Sequence, residues 1–332
     1  MATYTKRKSK WRAQVRRKGI SKSAEFDTKA EAQKWATSLE KEIETGFFDP
    51  NKYITFSDVI DRYIHEVTIK KGGARPERLR LQRIADTDLG NKLIAKLSVQ
   101  DLQQWQDQRM LEVKPNSVIR ERISLSAVLK KAIQWGYITA SPFDKVDKPK
   151  EPPARHRRYT TAEIENLISA SGYNPEHPPK TKTERVGAAI LFAIETAMRA
   201  GEICGLTWEN VDLTKRTAYL PKTKNGHPRT VPLTLKAVAI LNHLTSVKSE
   251  KDDTVFQVNV GVLGSLFQKI KTKAGLADAD LHFHDTRREA LSRLSQKVEV
   301  LTLAKISGHR DIKILLNTYY APDMAEIAQQ LD

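Results

Sequence analysis

The 332-residue sequence has a single cysteine, Cys204, and it lacks any long apolar run. One cysteine excludes an intramolecular disulfide and a zinc site built from several thiolates. Because its neighbours in "GEICGL" are apolar and their spacing indicates a helix, Cys204 is predicted to be a buried, unreactive thiol. No stretch approaches the roughly 18 apolar residues of a membrane-spanning helix, and the polar, basic N-terminus does not resemble a signal peptide. We therefore expect a cytoplasmic protein without membrane contact.

Acidic residues are too few to balance the basic ones. Asp and Glu number 40 against 56 Lys and Arg, which gives a formal charge of +16 and a pI near 9.7. This charge favours a polyanionic partner, of which nucleic acid is the commonest. A ribosome-associated or merely basic soluble protein is the alternative that composition leaves open. An apolar content of 39% is typical of a folded protein, and the length favours about two domains.

The first 50 residues predict a small sheet covered by one helix. In "WRAQVRRKG", apolar side chains alternate with polar ones, which is typical of a strand with one basic face. Thr28 and Glu31 have the spacing of a capping box and start the predicted helix. A solvated charged surface is the alternative, but the arginines of the strand favour phosphate contact. The residues predicted to contact DNA here are Arg12, Arg16, Arg17 and Lys18.

Residues 54–145 predict a compact helical domain. Ser98 and Asp101 form a second capping-box pair, and a further helix runs from Pro115 to a C-terminal cap at Gly136. Basic residues are scattered over this domain, where they indicate either a DNA-contacting face or a solvated one. A proline-rich basic linker is predicted over 146–158, extended and suited to lying along phosphates. The candidate DNA-contacting residues of these two segments are Arg120, Arg122, Lys130, Arg155 and Arg157.

Residues 159–332 predict helices interrupted by one β-hairpin. The apolar stretch "ERVGAAILFAIETAM" predicts a buried helix, and Asn225-Gly226 is the strongest short-range signal for a hairpin. The whole chain is therefore expected to be mainly α with small β-sheets, in the α+β class.

Two separated signals in this segment indicate an anion site. Arg199 follows the buried helix, where an arginine needs an anion or an acid to balance its charge; an internal pair with Glu202 is the simpler alternative. His284 and Arg287 lie three residues apart at a helix start, so both side chains can face one point. The His282-Phe-His284 spacing could also suggest a metal ligand pair, but no carboxylate-rich neighbourhood supports it, and no metal or other cofactor is predicted.

A third signal is His309, which precedes Tyr319 by ten residues. Two arginines, two histidines and a tyrosine suit the attack of a phenol on a phosphodiester. The arginines would neutralise charge on the pentavalent transition state, as a metal ion does elsewhere. The resulting phosphotyrosine stores the energy of the phosphodiester bond, so that religation needs no ATP.

These motifs resemble the catalytic domain of the tyrosine recombinases, the phage-integrase family. Family boxes match "MRAGE" at Arg199, "HDTR" at 284–287 and Gly-His at 308–309. The family's hairpin lysine matches Lys224 in "KNGHPRTVP", so the resemblance implies that Lys224 is the general acid for the 5′-hydroxyl leaving group. It also implies that His309 contacts the scissile phosphate, that His284 assists proton transfer and that Glu202 has a supporting role.

The sequence departs from the family pattern in two places near its end. Ser307 stands where leucine usually precedes Gly-His, a change expected to affect packing rather than chemistry. The spacing from histidine to tyrosine is commonly nine residues, with a ten-residue variant that "LNTYYAP" fits. This places the nucleophile at Tyr319, with Tyr320 as the alternative.

The resemblance extends to the remaining domains and to the partners. It implies an arm-type DNA-binding domain at 1–50, a core-binding domain at 54–145 and a catalytic domain at 159–332. The expected function is site-specific recombination of double-stranded DNA by a homotetramer, as in a phage or genomic-island integrase, with an excisionase and a DNA-bending host factor as candidate partners. A type IB topoisomerase and a catalytically idle DNA-binding regulator are the alternatives.

Overall fold

The computed structural model describes residues 2–7, 9–46, 53–153, 157–223 and 226–319. The chain divides into two compact units, Met1–Pro153 and Ala154–Asp332. Four residues that carry sequence predictions lie outside the described residues: Arg155, Lys224, Asn225 and Tyr320. Among the helices of the described ranges, none has the length and apolar character needed to cross a membrane.

The first unit begins with an antiparallel three-stranded sheet of order β1-β2-β3, followed by one helix. The elements are β1 (Ala2–Arg7), β2 (Lys10–Arg17), β3 (Ile20–Phe26) and α1 (Lys29–Thr45). Ala13 and Val15 of β2 are fully buried, whereas Arg16 is exposed, so the predicted two-faced strand is present. Thr28 and Glu31 form the predicted capping box, and Gly46 ends α1 with a φ of 76°.

Within the described residues of this unit, five α-helices follow and enclose a separate apolar core. They are α2 (Phe56–Glu66), α3 (Ala74–Ala85), α4 (Asp88–Asn91), α5 (Val99–Glu112) and α6 (Pro115–Gln134). The Ser98–Asp101 capping box is present at α5, and Gly136 adopts a φ of 77° just beyond α6, as the sequence indicated. Val146, the first residue of the predicted linker, is 4% exposed and belongs to this core.

The second unit consists of eight helices and a small antiparallel sheet of order β4-β5-β6 within its described residues. The helices are α7 (Thr161–Ser171), α8 (Lys182–Thr196), α9 (Ala200–Cys204), α10 (Leu235–Thr245), α11 (Val260–Lys273), α12 (Asp285–Leu294), α13 (Val300–Ser307) and α14 (Ile312–Thr318), and the strands are β4 (Val211–Asp212), β5 (Thr217–Leu220) and β6 (Arg229–Pro232). Helix α8 is buried along most of its length, as its apolar sequence predicted. A smaller apolar cluster joins the end of α8 to α12, α13 and α14.

The hairpin around Gly226 differs from the simplest expectation. Strands β5 and β6 pair as far as Leu220 and Arg229, so the connection between them is longer than the two-residue turn that Asn-Gly favours. Gly226 nevertheless adopts a φ of 79° and donates its N–H to the Thr223 carbonyl at 3.0 Å. The turn residue thus has the predicted backbone conformation inside a larger loop.

Candidate active site

Arg199 lies at the turn between the buried helix α8 and the short helix α9. Ala197 ends α8 in the left-handed conformation, with a φ of 53°, which turns the chain sharply. The Arg199 backbone N–H then donates to Oε2 of Glu202 at 2.8 Å, and its Nη1 donates to Oε1 at 3.0 Å. The internal pair that the sequence left open is therefore present, and it holds Arg199 at the start of α9.

Glu202 is shared with a second arginine. Arg229 of β6 donates from Nη1 to Oε1 at 2.7 Å and from Nη2 to Oε2 at 2.6 Å, while its Nε donates to the Ile306 carbonyl at 2.9 Å. Burial of Glu202 opposes its ionisation, but the hydrogen bonds and charge of Arg229, together with Arg199, hold its pKa at about 2. One carboxylate thus balances only part of the charge of two guanidinium groups.

Arg287 joins two of the sequence motifs directly. Its side chain is 3% exposed; Nη1 donates to the carbonyl of Ala197, two residues before Arg199, and Nη2 donates to the carbonyl of Ser307 at 2.6 Å. Burial and the charge of Arg199 lower its pKa to about 9, so it remains protonated at neutral pH. Because its carbonyl partners are neutral, its positive charge is available to a bound anion.

The two histidines flank this cluster. His284 occupies the N-cap position of α12, whereas His309 follows Gly308, whose φ of 71° ends α13. Burial, and then the charge of Arg287, lower the pKa of both imidazoles, that of His309 to about 4. Both rings are therefore neutral at pH 7 without a ligand, as expected for bases beside excess positive charge.

Tyr319 directly follows α14 and donates its backbone N–H to the Leu315 carbonyl at 2.9 Å. It is partly buried and packs against the apolar cluster that holds α12 and α13. Its phenol is close enough to Arg287 to act on the pKa of that guanidinium. The structure therefore places Tyr319 near Arg287.

The assembled site has the chemistry of an anion site. Arg199, Arg229 and Arg287 meet around Glu202, and neutral imidazoles and a phenol lie at their border. Such a site suits a phosphate group, whose non-bridging oxygens accept several N–H donors. Over the described ranges, no three His, Cys, Asp or Glu side chains are grouped closely enough to hold a metal ion.

Sequence reasoning missed two members of this site. Arg229 lies two residues before the buried Val231 on β6, so period-two alternation puts both side chains on the same face and predicts a paired arginine. Ser307 was expected to alter packing only, but it also has a polar contact within the site. Its hydroxyl lies 2.7 Å from Nδ1 of His309, so it touches a candidate catalytic side chain.

Cys204 of α9 is buried, as predicted, and burial raises the pKa of its thiol to about 11. This residue packs in the main apolar core of the second unit. A neutral thiol in such surroundings is unreactive, which agrees with its interpretation as a packing residue.

One predicted DNA-contacting residue of the helical region is instead structural. Arg122 is 7% exposed; its Nη1 donates to Gln106 Oε1 at 2.6 Å and to the Asp147 carbonyl at 2.9 Å, and its Nη2 donates to the carbonyls of Phe143 and Val146. Its guanidinium thus makes its hydrogen bonds inside the domain, and the prediction of a phosphate contact is wrong for this residue. Arg120 and Lys130, on the same helix, are exposed.

The basic residues of the sheet have mixed surroundings. Arg12 donates to the Ser23 hydroxyl at 3.1 Å, Arg17 pairs with Glu44, and Lys18 reaches the carbonyls of Ile43 and Glu44 at 3.5 and 3.4 Å. Arg17 and Lys18 therefore help to attach the sheet to the C-terminal end of α1.

In the second unit, Arg157 pairs with Glu163, the capping residue of α7. The neighbouring Arg158 pairs with Glu289 of α12 at 3.0 Å, and the Tyr159 hydroxyl donates to the His282 carbonyl at 2.9 Å. The start of this unit is thus attached to the helix that carries Arg287. Phosphate contact by Arg157 remains a prediction.

Comparison with known proteins supports the same assignment. Residues 157–326, slightly more than half of the chain, match the profile of the "Phage integrase family". A "Putative integrase/recombinase" of Haemophilus influenzae is 54% identical over 328 residues, which are 98% of this chain and 89% of that protein.

Two solved structures have the same fold at low identity. The Tn1549 transposon integrase in complex with circular intermediate DNA gives a TM-score of 0.67 at 21% identity, over 84% of this chain and 99% of that one. A lambda integrase tetramer bound to a Holliday junction gives 0.66 at 16% identity, over 93% and 95% of the two chains. Profile, relative and fold agree with the residues that meet around Arg287, and the chain belongs to the phage integrase family of tyrosine recombinases.

Proposed function

We propose that this protein is a site-specific DNA recombinase that cleaves and rejoins DNA strands through a phosphotyrosine intermediate. The observation that carries the proposal is the pair of hydrogen bonds from Arg287 to the carbonyls of Ala197 and Ser307, because they bring three separated motifs into one positively charged site. A phosphodiester is the anion that this site suits best, and the excess of 56 basic over 40 acidic residues supports a DNA substrate.

The proposed reaction is a transesterification. The Tyr319 oxygen attacks the scissile phosphorus, the bond from phosphorus to the 5′-oxygen breaks, and a 3′-phosphotyrosine forms. Arg199, Arg287 and His309 stabilise the negative charge that develops on the non-bridging oxygens. His284 assists in removing the phenol proton, and Lys224 protonates the leaving 5′-oxygen. The number of phosphoester bonds is unchanged, so strand exchange needs no ATP. The arginines supply the charge stabilisation that a metal ion supplies elsewhere.

The remainder of the chain is proposed to bind and assemble on DNA. Residues 1–50 would bind arm-type sites, 54–145 would bind the core site together with the catalytic domain, and 146–158 would link the two. Four copies would exchange strands through a Holliday junction and so integrate or excise a phage or genomic island, with an excisionase and a DNA-bending protein as further partners. The solved lambda integrase tetramer on a Holliday junction supports this arrangement through its shared fold.

A nicked suicide substrate taken from the element's own end tests the proposal. Wild type, Tyr319→Phe and Tyr320→Phe are incubated with labelled DNA in EDTA and run on a denaturing gel. We expect a covalent protein–DNA adduct from wild type and from Tyr320→Phe, and none from Tyr319→Phe. Loss of the adduct in Tyr320→Phe alone would move the nucleophile to Tyr320.

Two further outcomes would contradict the proposal itself. If every variant binds this DNA and none forms an adduct, the protein is a DNA-binding regulator with an idle site. If wild type relaxes supercoiled plasmids without any sequence preference, the activity is that of a type IB topoisomerase.

A further inference from the structure

Ser307, the last residue of α13, contacts two of the proposed catalytic side chains. It is completely buried; its carbonyl accepts a hydrogen bond from Arg287 Nη2 at 2.6 Å. Its hydroxyl oxygen lies 2.7 Å from the Leu303 carbonyl oxygen and 2.7 Å from Nδ1 of His309. One buried hydroxyl thus lies between the helix backbone and an imidazole of the active site.

The positions of the hydrogens follow from these two distances. Two oxygens 2.7 Å apart need a hydrogen between them, and a carbonyl cannot supply one, so the Ser307 hydroxyl must donate to Leu303. A hydroxyl has a single hydrogen. The hydrogen in the second short contact must therefore come from the imidazole, which makes His309 the donor, from Nδ1–H to the Ser307 oxygen.

This arrangement determines which nitrogen of His309 can exchange a proton. Nδ1 keeps its hydrogen in the neutral ring and in the imidazolium, so only Nε2 gains or loses one. The Ser307 side is completely buried, whereas His309 is partly exposed, so the opposite edge of the ring, which carries Nε2, is the edge that a ligand can reach.

We propose that Ser307 is a positioning residue that holds His309 in the Nδ1–H tautomer and presents Nε2 to the scissile phosphate. The inference rests on the proposed function, because it assigns His309 to the phosphate site of that reaction. Ser307 does not touch the phosphate in this arrangement; it acts through the imidazole. The serine that departs from the family's usual leucine thus has a chemical role.

The charged surroundings of His309 agree with this role. Burial, and then Arg287, Arg199, Arg229 and His284, lower the pKa of the ring, so that it is neutral before DNA binds. A neutral imidazole has two tautomers, and a hydrogen-bond partner on one nitrogen selects between them. Ser307 is that partner.

Nitrogen NMR of the full-length protein without DNA tests the tautomer independently of catalysis. The protein is labelled with ¹⁵N-histidine, and His309→Gln identifies the His309 signals among the eight histidines. At pH 7 we expect the proton on Nδ1 in wild type, on Nε2 in Ser307→Ala, and on Nδ1 again in Ser307→Thr, which restores the hydroxyl. A wild-type ring protonated at Nε2, or an unchanged ring in Ser307→Ala, would overturn the proposal.

Ser171→Ala is the matched control, because Ser171 is also a buried serine at the end of a helix. Its hydroxyl hydrogen-bonds to backbone groups: it donates to the Ile168 carbonyl at 2.6 Å and accepts from the Tyr173 N–H at 3.1 Å. This variant should leave the His309 signals unchanged, and circular dichroism checks that all variants fold. If Ser171→Ala shifts the tautomer as Ser307→Ala does, the effect is a general loss of packing and the proposal fails.

Cleavage of the suicide substrate supplies the second readout. Loss of one positioning hydrogen bond should slow single-turnover adduct formation about 3- to 10-fold in Ser307→Ala, with Ser307→Thr close to wild type. A shifted tautomer with an unchanged cleavage rate would overturn the positioning role. If wild type forms no adduct, the proposed function fails, while the NMR result still decides the tautomer.

Discussion

Arg229 and Glu202 form a two-pronged ion pair that connects strand β6 to helix α9, with N–O distances of 2.7 and 2.6 Å. The side chains of both residues are almost completely buried, at 7% and 6% exposure. Gly308 completes this contact, because a Cβ atom there would approach the Arg229 side chain to 3.2 Å. The pair therefore fixes the spacing between the hairpin, the turn that carries Arg199 and the turn that carries His309.

The first prediction concerns this pair. Arg229→Ala leaves the Glu202 carboxylate buried with Arg199 as its remaining hydrogen-bonded guanidinium, and breaking a buried ion pair costs about 3–5 kcal/mol. We expect the free energy of unfolding in urea to fall by that amount. Adduct formation should fall at least about tenfold, because Glu202 then neutralises Arg199 more completely.

Lys215→Ala is the control for this experiment, since it removes an exposed ion pair with Asp212 in the same unit. That variant should unfold at the wild-type urea concentration. Arg229→Lys keeps the charge but cannot form both hydrogen bonds, so its stability should lie between those of Arg229→Ala and wild type. Wild-type stability in Arg229→Ala would show that the ion pair does not hold this part of the fold.

The second prediction follows from the pKa of His309. The folded protein holds this pKa at about 4, below the ordinary value of 6.5, so the unfolded chain binds a proton first as the pH falls. The contribution of His309 to the free energy of unfolding is therefore complete above pH 6.5 and is lost as the pH falls from there toward 4. The slope from this group is up to about 1.4 kcal/mol per pH unit. Urea unfolding at pH 7.5, 6.5 and 5.5 measures the slope.

His309→Gln should lower that slope, because glutamine does not titrate. His284, whose pKa is also lowered, still contributes in this variant, so part of the slope remains. His177→Gln, at an exposed position of the same unit, controls for the removal of an imidazole. Equal slopes in wild type and His309→Gln would contradict the lowered pKa.

Local structure could be predicted from the sequence because its signals are local. The capping boxes at Thr28 and Ser98 depend on residues three positions apart, and both are present. The buried helix α8 follows from its apolar composition alone. The convergence of Arg199, Arg287 and His309 needed the family resemblance, since no periodicity relates residues so far apart in the chain.

The errors concern side-chain direction and long-range pairing. Arg122 belongs to a helix with several basic residues, and only tertiary packing against 143–147 shows that its guanidinium is enclosed. The partner of Glu202 that binds it most closely lies 27 residues away on a strand. The contact between the Ser307 hydroxyl and His309 depends on a backbone turn at Gly308 that places the two side chains beside each other. Each of these contacts is decided by the folded geometry and not by spacing.

The third prediction concerns the single cysteine. With a pKa of about 11, only about one Cys204 thiol in a thousand is ionised at pH 8, and burial also blocks access. We expect a thiol reagent to label the folded protein at least about 100-fold more slowly than the protein in urea. Cys204→Ala gives the background, and equal rates in the two states would show that the thiol is accessible.

The fourth prediction separates two arginines of helix α6 that sequence analysis treated alike. Arg122→Ala removes a buried guanidinium that four hydrogen bonds and the Phe143 ring surround, the ring centroid lying 4.4 Å from its central carbon. We expect a loss of about 2–4 kcal/mol in the free energy of unfolding, because the carbonyls left behind lose their donor. Arg120→Ala, at an exposed position, should leave stability unchanged.

For DNA binding we expect the opposite order: Arg120→Ala should have the effect and Arg122→Ala should not. Fluorescence anisotropy with core-site DNA over a range of salt concentrations measures affinity and its salt dependence. If Arg120 contacts a phosphate, Arg120→Ala weakens binding and reduces the slope of log affinity against log salt by about one. Arg122→Ala, measured where it is still folded, should keep the wild-type slope, because its guanidinium faces carbonyls of its own domain. A reduced slope in Arg122→Ala with unchanged stability would restore Arg122 as a DNA contact and would contradict the enclosed geometry.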